Sequence, residues 1–217
     1  MNFKAAIFDL DGTLVNSLDD LADAMNSVLS RRGLPVHPRE AYRYFVGRGI
    51  RNLVHNALPE AARDDEIIAE CYQLMMDAYS RNYVVKTRPY DGITDLLGEL
   101  KSRGMKLGVL SNKADEFTKN IVQTLTPGYF DKVVGFTTEA LKKPNPAAAL
   151  QISESFGVQP DEVLYIGDSG VDMQTAQNAG MYGVGVLWGF RTKEEIVSNG
   201  AKTTLAHPLD LMELLKN

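Results

Sequence analysis

Two acidic residues, Asp9 and Asp11, follow a short apolar run near the start of the chain. The run, residues 5–8, has the composition of a buried β-strand, so both carboxylates come where that strand ends and the chain turns at Gly12. Open parallel sheets carry their reaction sites at that end of their strands. Two carboxylates this close repel each other unless a cation binds them or one is protonated. The pair therefore predicts a metal site or separate acid and base roles, although a simple Asp-Gly turn is the alternative.

Three later stretches also carry polar side chains at predicted strand ends. Ser111 and Asn112 offer a hydroxyl and an amide that suit an anion, although such residues are also common at helix N-termini. Lys143 precedes a proline that stiffens the segment, and an exposed lysine before a helix is the alternative. Asp168 follows another apolar run, and Asp172 comes one helical turn later. An ordinary turn followed by a helix N-cap is the alternative for this stretch. Because all of them end strands of one predicted sheet, they favour a shared site.

The elements that position these residues alternate between strand and helix in the second half of the chain. Strands are predicted at 105–110, 132–136, 163–166 and 184–187, with helices between them. Before them, the apolar spacing predicts helices at 17–29, 38–47, 50–58 and 60–83, the first of them capped by Ser17. We therefore expect an α/β fold, a Rossmann-like parallel sheet flanked by helices (a three-layer α/β/α core), with a small all-helical cap inserted after the first strand. The predicted domains are an α/β core of residues 1–16 plus 84–217 and a helical cap domain of residues 17–83.

The composition of the chain indicates which kinds of partner and which cellular location to expect. The 217 residues are 44% hydrophobic and 24% charged, as in an ordinary globular protein, and the net charge is −5 without a basic stripe. We therefore expect no nucleic acid and no membrane as partners. Cys71 is the only cysteine, so no disulfide forms within one chain and a cytoplasmic location is expected.

The four stretches together resemble the four motifs of the haloacid dehalogenase-like hydrolases, and in particular their phosphatases with a helical cap after the first motif. The motifs are, in the family's order, Asp9-Leu10-Asp11-Gly12-Thr13, Ser111-Asn112, Lys143 before Pro144, and Gly167-Asp168-Ser169 with Asp172. The resemblance covers essentially the whole chain, including the cap. It implies a Mg²⁺-dependent phosphomonoester hydrolase.

The resemblance also assigns roles to these residues. Asp9 is expected to be the nucleophile that forms an aspartyl phosphate, and Asp11 to protonate the leaving alcohol and then deprotonate the attacking water. Mg²⁺ held by Asp9, Asp168 and the backbone carbonyl of Asp11 would offset the repulsion between nucleophile and phosphate. The remaining expected roles are binding of the transferring oxygens by Lys143 and Ser111, substrate binding by Gly12, Thr13 and Asn112, and support of the lysine or the metal by Asp172 and Ser169.

The carboxylate of Asp11 favours phosphoryl transfer. Family members that remove halide or cleave carbon–phosphorus bonds lack an acid two residues after the nucleophile. A phosphomutase similar to β-phosphoglucomutase keeps both acids and is an open alternative. A phosphorylation-switched binding module, such as a receiver domain, also combines a parallel sheet with acids, Mg²⁺, a hydroxyl and a lysine, but it lacks a helical insert.

We expect the cap to select the substrate. The segment Phe45-Val46-Gly47-Arg48-Gly49-Ile50-Arg51 resembles the specificity loop of phosphoglycolate phosphatases, and Trp188-Gly189-Phe190 also resembles that subgroup. Gly47 and Gly49 are expected to let the loop approach a ligand, and Arg48 or Arg51 to bind a small carboxylate or second phosphate; a plain helix connection is the alternative. The best prediction is a small phosphorylated metabolite, 2-phosphoglycolate. Pyrophosphatase, nucleotidase and sugar-phosphate phosphatase activities are alternatives, and both a monomer and a homodimer are open.

Overall fold

The structure is a computed structural model that describes residues 3–216. Its central sheet has six parallel strands. Numbered along the chain, the strands are β1 (Ala5–Phe8), β2 (Val15–Asn16), β3 (Arg88–Pro89), β4 (Lys106–Ala114), β5 (Lys132–Phe136), β6 (Val163–Gly167), β7 (Tyr182–Val186) and β8 (Thr203–Leu205). Six of them form the central sheet, in the order β5-β4-β1-β6-β7-β8, and β2 and β3 form a separate pair. The predicted parallel sheet is confirmed, and β1 lies between β4 and β6, which carry or lead into the second and fourth motifs.

Within residues 3–216, ten α-helices flank the sheet or form the insert. They are α1 (Leu18–Arg31), α2 (Tyr42–Phe45), α3 (Ile50–Ala57), α4 (Asp65–Asn82), α5 (Ile93–Ser102), α6 (Asp115–Leu125), α7 (Ala147–Phe156), α8 (Gly170–Asn178), α9 (Lys193–Ser198) and α10 (Leu211–Leu214). The predicted helix 38–47 is reduced to α2 and one preceding 3₁₀ turn, because the chain becomes extended at Val46 and takes a φ of +111° at Gly47. Within residues 3–216, no helix is both long and apolar enough to cross a membrane.

The helical insert has a hydrophobic core of its own. Side chains of α1, α3 and α4 form one buried cluster, and Phe117 and Phe190 of the sheet-containing part also belong to it. Two other clusters cover the two faces of the sheet. This separation is consistent with the division at residues 16 and 83, which stays a prediction.

Three short strands were not predicted from the sequence. β2 and β3 pair antiparallel and tie together the two connections between the insert and the sheet. β8 adds a three-residue edge to the sheet beside β7. Segments of two or three residues are too short for an alternation of apolar and polar residues to be recognised. Only the pairing partner, which lies far along the chain, identifies them as strands.

Asp20 of α1 holds the second connection between the insert and the sheet. Its buried carboxylate accepts hydrogen bonds from the backbone amide and hydroxyl of Thr87, at 2.8 and 2.7 Å, and from the backbone amide of Lys86 at 2.9 Å. These contacts leave the connection fixed against α1.

We expect Asp20→Ala to lower the free energy of unfolding by about 3 kcal/mol, since three donors lose a charged acceptor in a buried site. Urea unfolding followed by circular dichroism measures it. The matched control is Asp23→Ala, one turn along the same helix. Asp23 forms an ion pair with the exposed ammonium of Lys86, and its loss is expected to leave the urea midpoint unchanged. Equal effects of the two substitutions would contradict the assignment.

Candidate active site

A buried lysine joins two of the predicted motif carboxylates. The Nζ atom of Lys143 lies 2.8 Å from Oδ1 of Asp9 at the end of β1 and 2.7 Å from Oδ1 of Asp172 in the first turn of α8. The side chains of Lys143, Asp9 and Asp172 are only 2%, 9% and 0% exposed. Oδ2 of Asp9 accepts no hydrogen bond within residues 3–216. One oxygen of Asp9 is thus held while the other is available for reaction.

The electrostatics of this cluster call for further positive charge. Burial raises the pKa of Asp9 to about 7, and the charge of Asp172 adds to the rise while Lys143 opposes it. Burial and the same neighbouring carboxylates also raise the pKa of Asp168 well above its usual value. Burial acts to lower the pKa of Lys143, but Asp172 and Asp9 outweigh it and hold that pKa well above its ordinary value. One ammonium therefore faces three carboxylates, and a second cation would relieve the remaining repulsion.

The geometry fits a hard divalent metal ion. Oxygens of Asp9, Asp168 and Asp172 all lie within 4.8 Å of one another. Asp172 is already bound by Lys143 and by the backbone amide and hydroxyl of Ser169, so Asp9 and Asp168 are the members with ligand capacity to spare. Carboxylate oxygens are the ligands that such ions prefer. The side chain of Asp11 lies outside this cluster, and the predicted contact through its backbone carbonyl stays a prediction.

Gly12 allows the first motif to pass directly over Asp168. Its φ is +85°, and a Cβ atom there would lie 2.3 Å from Oδ2 of Asp168. Two neighbours hold the same carboxylate, since the backbone amide of Phe190 donates to Oδ2 at 2.7 Å and the hydroxyl of Thr13 to Oδ1 at 3.4 Å. A side chain at position 12 would therefore displace the proposed metal ligand.

We expect Gly12→Ala to lower kcat/KM at least about 100-fold, because the new methyl group misplaces Asp168 in a site that needs its ligands held closely. Initial rates of phosphate release measure it. Gly33→Ala is the matched control, because Gly33 has a similar φ of +66° with open space where a Cβ would lie. Its backbone strain is comparable, but we expect its activity to match the parent protein; equal losses would show that strain alone explains the effect.

The second motif differs from the sequence prediction in its backbone. β4 does not end at residue 110 but continues to Ala114, and its pairing with β5 shifts register between Leu110 and Ala114. Ser111 and Asn112 lie in this irregular part. The hydroxyl of Ser111 is buried and accepts a hydrogen bond from the backbone amide of Lys113 at 3.2 Å.

Asn112 is occupied by protein partners. Its amide nitrogen donates to the carbonyl oxygens of Gly47 and Lys143, both at 3.2 Å, and its amide oxygen accepts from the backbone amide of Lys143 at 2.9 Å. These bonds link the second motif, the third motif and the loop of the cap. Its predicted contact with the substrate stays a prediction beside this bracing role.

Sequence reasoning missed Lys113 as a member of the site. Its Nζ atom lies 2.7 and 2.8 Å from the two carboxylate oxygens of Asp11. Burial acts to lower the pKa of Lys113, but the charge of Asp11 outweighs it and the pKa lies above its ordinary value. The sequence could have indicated Lys113 if the strand had been continued past residue 110. Residues two apart on a strand share a face, so Lys113 would then lie on the same face as Ser111.

Ser17 also differs from its predicted role. It precedes α1 but makes no capping hydrogen bond with its side chain. Its hydroxyl donates instead to Oδ1 of Asp11 at 2.5 Å. A charged acceptor forms the stronger hydrogen bond, so Asp11 takes the hydroxyl that the local sequence assigns to the helix.

A small cavity lies where these groups meet the cap. It is lined from the sheet side by Asp9, Asp11, Ser111, Asn112 and Lys113 and from the insert by Leu21, Val46, Gly47, Gly49, Ile50 and Leu53. A water-sized sphere has room for its centre over about 30 Å³. A larger polar cavity next to it, about 480 Å³ by the same measure, is lined by Arg48 and other polar side chains.

The two arginines that the sequence predicts to bind substrate, Arg48 and Arg51, do not line the small cavity. Arg48 lines the larger cavity, and Arg51 is exposed, 3.8 Å from Asp65. Gly47 and Gly49 do line the small cavity, as the sequence predicts. Whether either arginine meets the substrate in the catalytic cycle stays a prediction.

The segment Trp188-Gly189-Phe190 also supports Asp168, the predicted metal ligand. The indole nitrogen of Trp188 donates to the carbonyl oxygen of Thr13 at 3.0 Å. A Cβ at Gly189 would lie 2.3 Å from Cβ of Asp168. This close approach lets the amide of Phe190 reach the carboxylate of Asp168.

Comparison with known proteins agrees with this geometry. The family model described as "Haloacid dehalogenase-like hydrolase" matches residues 6–186. A phosphoglycolate phosphatase of Aquifex aeolicus is 35% identical, over 99% of this chain and 97% of its own, and one of Chromobacterium violaceum is 32% identical, over 100% and 98%. The crystal structure of a predicted phosphoglycolate phosphatase from Haemophilus somnus 129PT superposes with a TM-score of 0.92 over 99% of both chains, at 27% identity. The chain is therefore a phosphatase that belongs to the haloacid dehalogenase-like hydrolases, a family whose phosphatases generally depend on a divalent metal ion.

Proposed function

We propose that the protein hydrolyses 2-phosphoglycolate with Mg²⁺ as its metal ion and an aspartyl phosphate as its intermediate. The observation that carries the proposal is the position of Asp9, which borders the small cavity with one oxygen held by Lys143 and the other without a hydrogen bond from residues 3–216. The names of the relatives support the substrate. The alternatives are the other phosphatase activities of the family, which would use the same residues on pyrophosphate, a nucleotide or a sugar phosphate.

In the first step, an oxygen of Asp9 attacks the phosphorus atom and the bond to the ester oxygen breaks. Asp11 gives its proton to the departing alkoxide, which leaves as glycolate. In the second step, water attacks the phosphorus of the aspartyl phosphate and gives a proton to Asp11, and the bond between Asp9 and phosphorus breaks to release phosphate. Lys143 and Ser111 stabilise the charge on the transferring oxygens throughout.

Asp9 and Asp168 are the proposed side-chain ligands of Mg²⁺, with the backbone carbonyl of Asp11. When bound, the ion supplies the positive charge that lets an anionic nucleophile approach a phosphate dianion. Asp172 and Ser169 act through their neighbours: the carboxylate holds Lys143 against Asp9, and the hydroxyl holds the carboxylate. This is the supporting role that the sequence predicts for them.

One feature of the small cavity favours an anionic ester. The N-terminus of α3 borders it at Gly49 and Ile50, where the first backbone amides of a helix lack partners within the helix and attract an anion. These amides are the proposed partners of the substrate's carboxylate, with Arg48 or Arg51 adding charge nearby.

The testing experiment is phosphate release from 2-phosphoglycolate, pyrophosphate, a nucleoside monophosphate and a hexose phosphate, each with Mg²⁺ and with excess chelator. We expect kcat/KM to be highest for 2-phosphoglycolate, by at least about tenfold, and negligible without metal. Metal-dependent release that is greatest for another ester would contradict the proposed substrate and leave the proposed reaction standing.

The proposal also includes a cytoplasmic location and a monomer or homodimer in solution.

A further inference from the structure

Lys113 is a buried cation that none of the four motifs explains. It lies near the end of β4, its side chain is 3% exposed, and its ammonium lies 2.8 and 2.7 Å from the two carboxylate oxygens of Asp11. It shares the lining of the small cavity with Asp9 and Ser111. Its position therefore brings it close to the reacting groups without a contact to the nucleophile.

The carboxylate of Asp11 is fixed in orientation by its partners. Lys113 binds both oxygens, and the hydroxyl of Ser17 donates to Oδ1. A carboxylate held at both oxygens by one ammonium cannot rotate about its last bond without breaking a charge-assisted hydrogen bond. Proton transfer to an ester oxygen depends strongly on this orientation.

The cap packs against the same ammonium from the other side. Tyr79 of α4 presents its ring 5.0 Å from Nζ of Lys113 and makes an edge contact with Phe117 of α6 at 5.3 Å. Within residues 3–216, the buried hydroxyl of Tyr79 has no hydrogen-bond partner. An aromatic face attracts a cation and excludes water from it, so the insert keeps Lys113 directed at Asp11.

We propose that Lys113 is a positioning residue, which orients the carboxyl group of Asp11 so that, when protonated, it transfers its proton to the leaving group. The inference rests on the proposed role of Asp11, but it does not depend on which ester is the natural substrate. It also excludes a direct role of Lys113 in binding the transferring phosphoryl group.

Leaving groups of different basicity provide the test. 2-Hydroxyethyl phosphate releases an alkoxide that needs a proton, whereas p-nitrophenyl phosphate releases a phenolate that does not. For both esters kcat/KM reports the first phosphoryl transfer. We expect Lys113→Met to lower kcat/KM about 100-fold for 2-hydroxyethyl phosphate and only about threefold for p-nitrophenyl phosphate.

A second comparison uses Asp11→Asn as the background. If Lys113 acts through Asp11, adding Lys113→Met to Asp11→Asn causes no further loss with either ester. This pair also remains informative if Lys113→Met alone fails to fold, because no unpaired carboxylate is left in the double variant. Lys119→Met is the matched control, since Lys119 pairs with Asp115 at 2.6 Å on the surface, and we expect parent activity from it.

2-Phosphoglycolate is assayed beside the two esters. Three results would overturn the proposal: equal losses for both esters, a further loss in the Asp11→Asn background, or a loss confined to 2-phosphoglycolate. The first two would assign Lys113 to the phosphoryl group, and the third to the substrate's carboxylate. Asp11→Asn alone separates the two hypotheses. If that variant affects both esters equally, the acid role of Asp11 fails, whatever Lys113 does.

Discussion

Asp9→Asn is expected to abolish phosphate release, with a loss of kcat of at least about 10⁴-fold. An amide cannot form the aspartyl phosphate, and the remaining groups of the site only bind and orient the substrate. Rapid quenching with ³²P-labelled substrate measures the chemical step, and we expect phosphate bound to the parent protein and none bound to the variant.

The same substitution is expected to leave the fold intact. Asp9 is one of three clustered carboxylates, and burial already raises its pKa to about 7, so a neutral amide removes repulsion. We therefore expect the thermal midpoint in chelator to be at least that of the parent. Asp95→Asn, on the exposed surface of α5, is the control for removing a carboxylate elsewhere. Covalent phosphate on the Asp9→Asn variant would assign the nucleophile to another residue.

Lys143→Met is expected to lower both activity and stability. Without the ammonium, Asp9 and Asp172 face each other in a buried site, and the loss of one partner of a buried ion pair costs about 3 kcal/mol or more. We also expect a loss of kcat of about 10³-fold, because positive charge beside the transferring oxygens is removed. Urea unfolding in chelator and initial rates with saturating Mg²⁺ measure the two effects.

Lys142→Met is the matched control for this prediction. Lys142 is the preceding residue and pairs with Glu139, which is 76% exposed, at 3.3 Å. Because exposed ion pairs contribute little, we expect neither the urea midpoint nor the rate to change. A Lys143→Met protein that unfolds at the parent's urea concentration would show that the cluster is not held together by this lysine.

The motif residues could be placed from sequence because strands and helices leave local patterns. The apolar runs at 5–8 and 163–166 predict strands that the structure confirms, and both are followed by acids. Since parallel strands place their carboxyl ends at one edge, the sequence was sufficient to group Asp9 with Asp168. Ser111 instead lies inside the longer β4, and Lys143 comes after β5 has ended at Phe136 and beyond a 3₁₀ turn.

Hydrogen-bond partners could not be predicted in the same way. The local sequence makes Ser17 a helix cap, but in the folded chain Asp11 takes its hydroxyl. The side chain of Asn112 was expected to meet substrate, yet it holds Gly47 and Lys143. Such choices depend on which group comes nearest in three dimensions, and residues far apart in sequence compete for the same side chain.

The sequence by itself determined the family, the α/β class, the helical insert and the identity of the principal motif residues, because each is written in local periodicity or in residue types at short spacing. Only the tertiary structure decided that Lys113 binds Asp11, 102 residues away, that the short strands pair, and that Arg51 lies outside the small cavity. These features depend on which segments meet when distant parts of the chain fold together, and no local stretch of sequence specifies that.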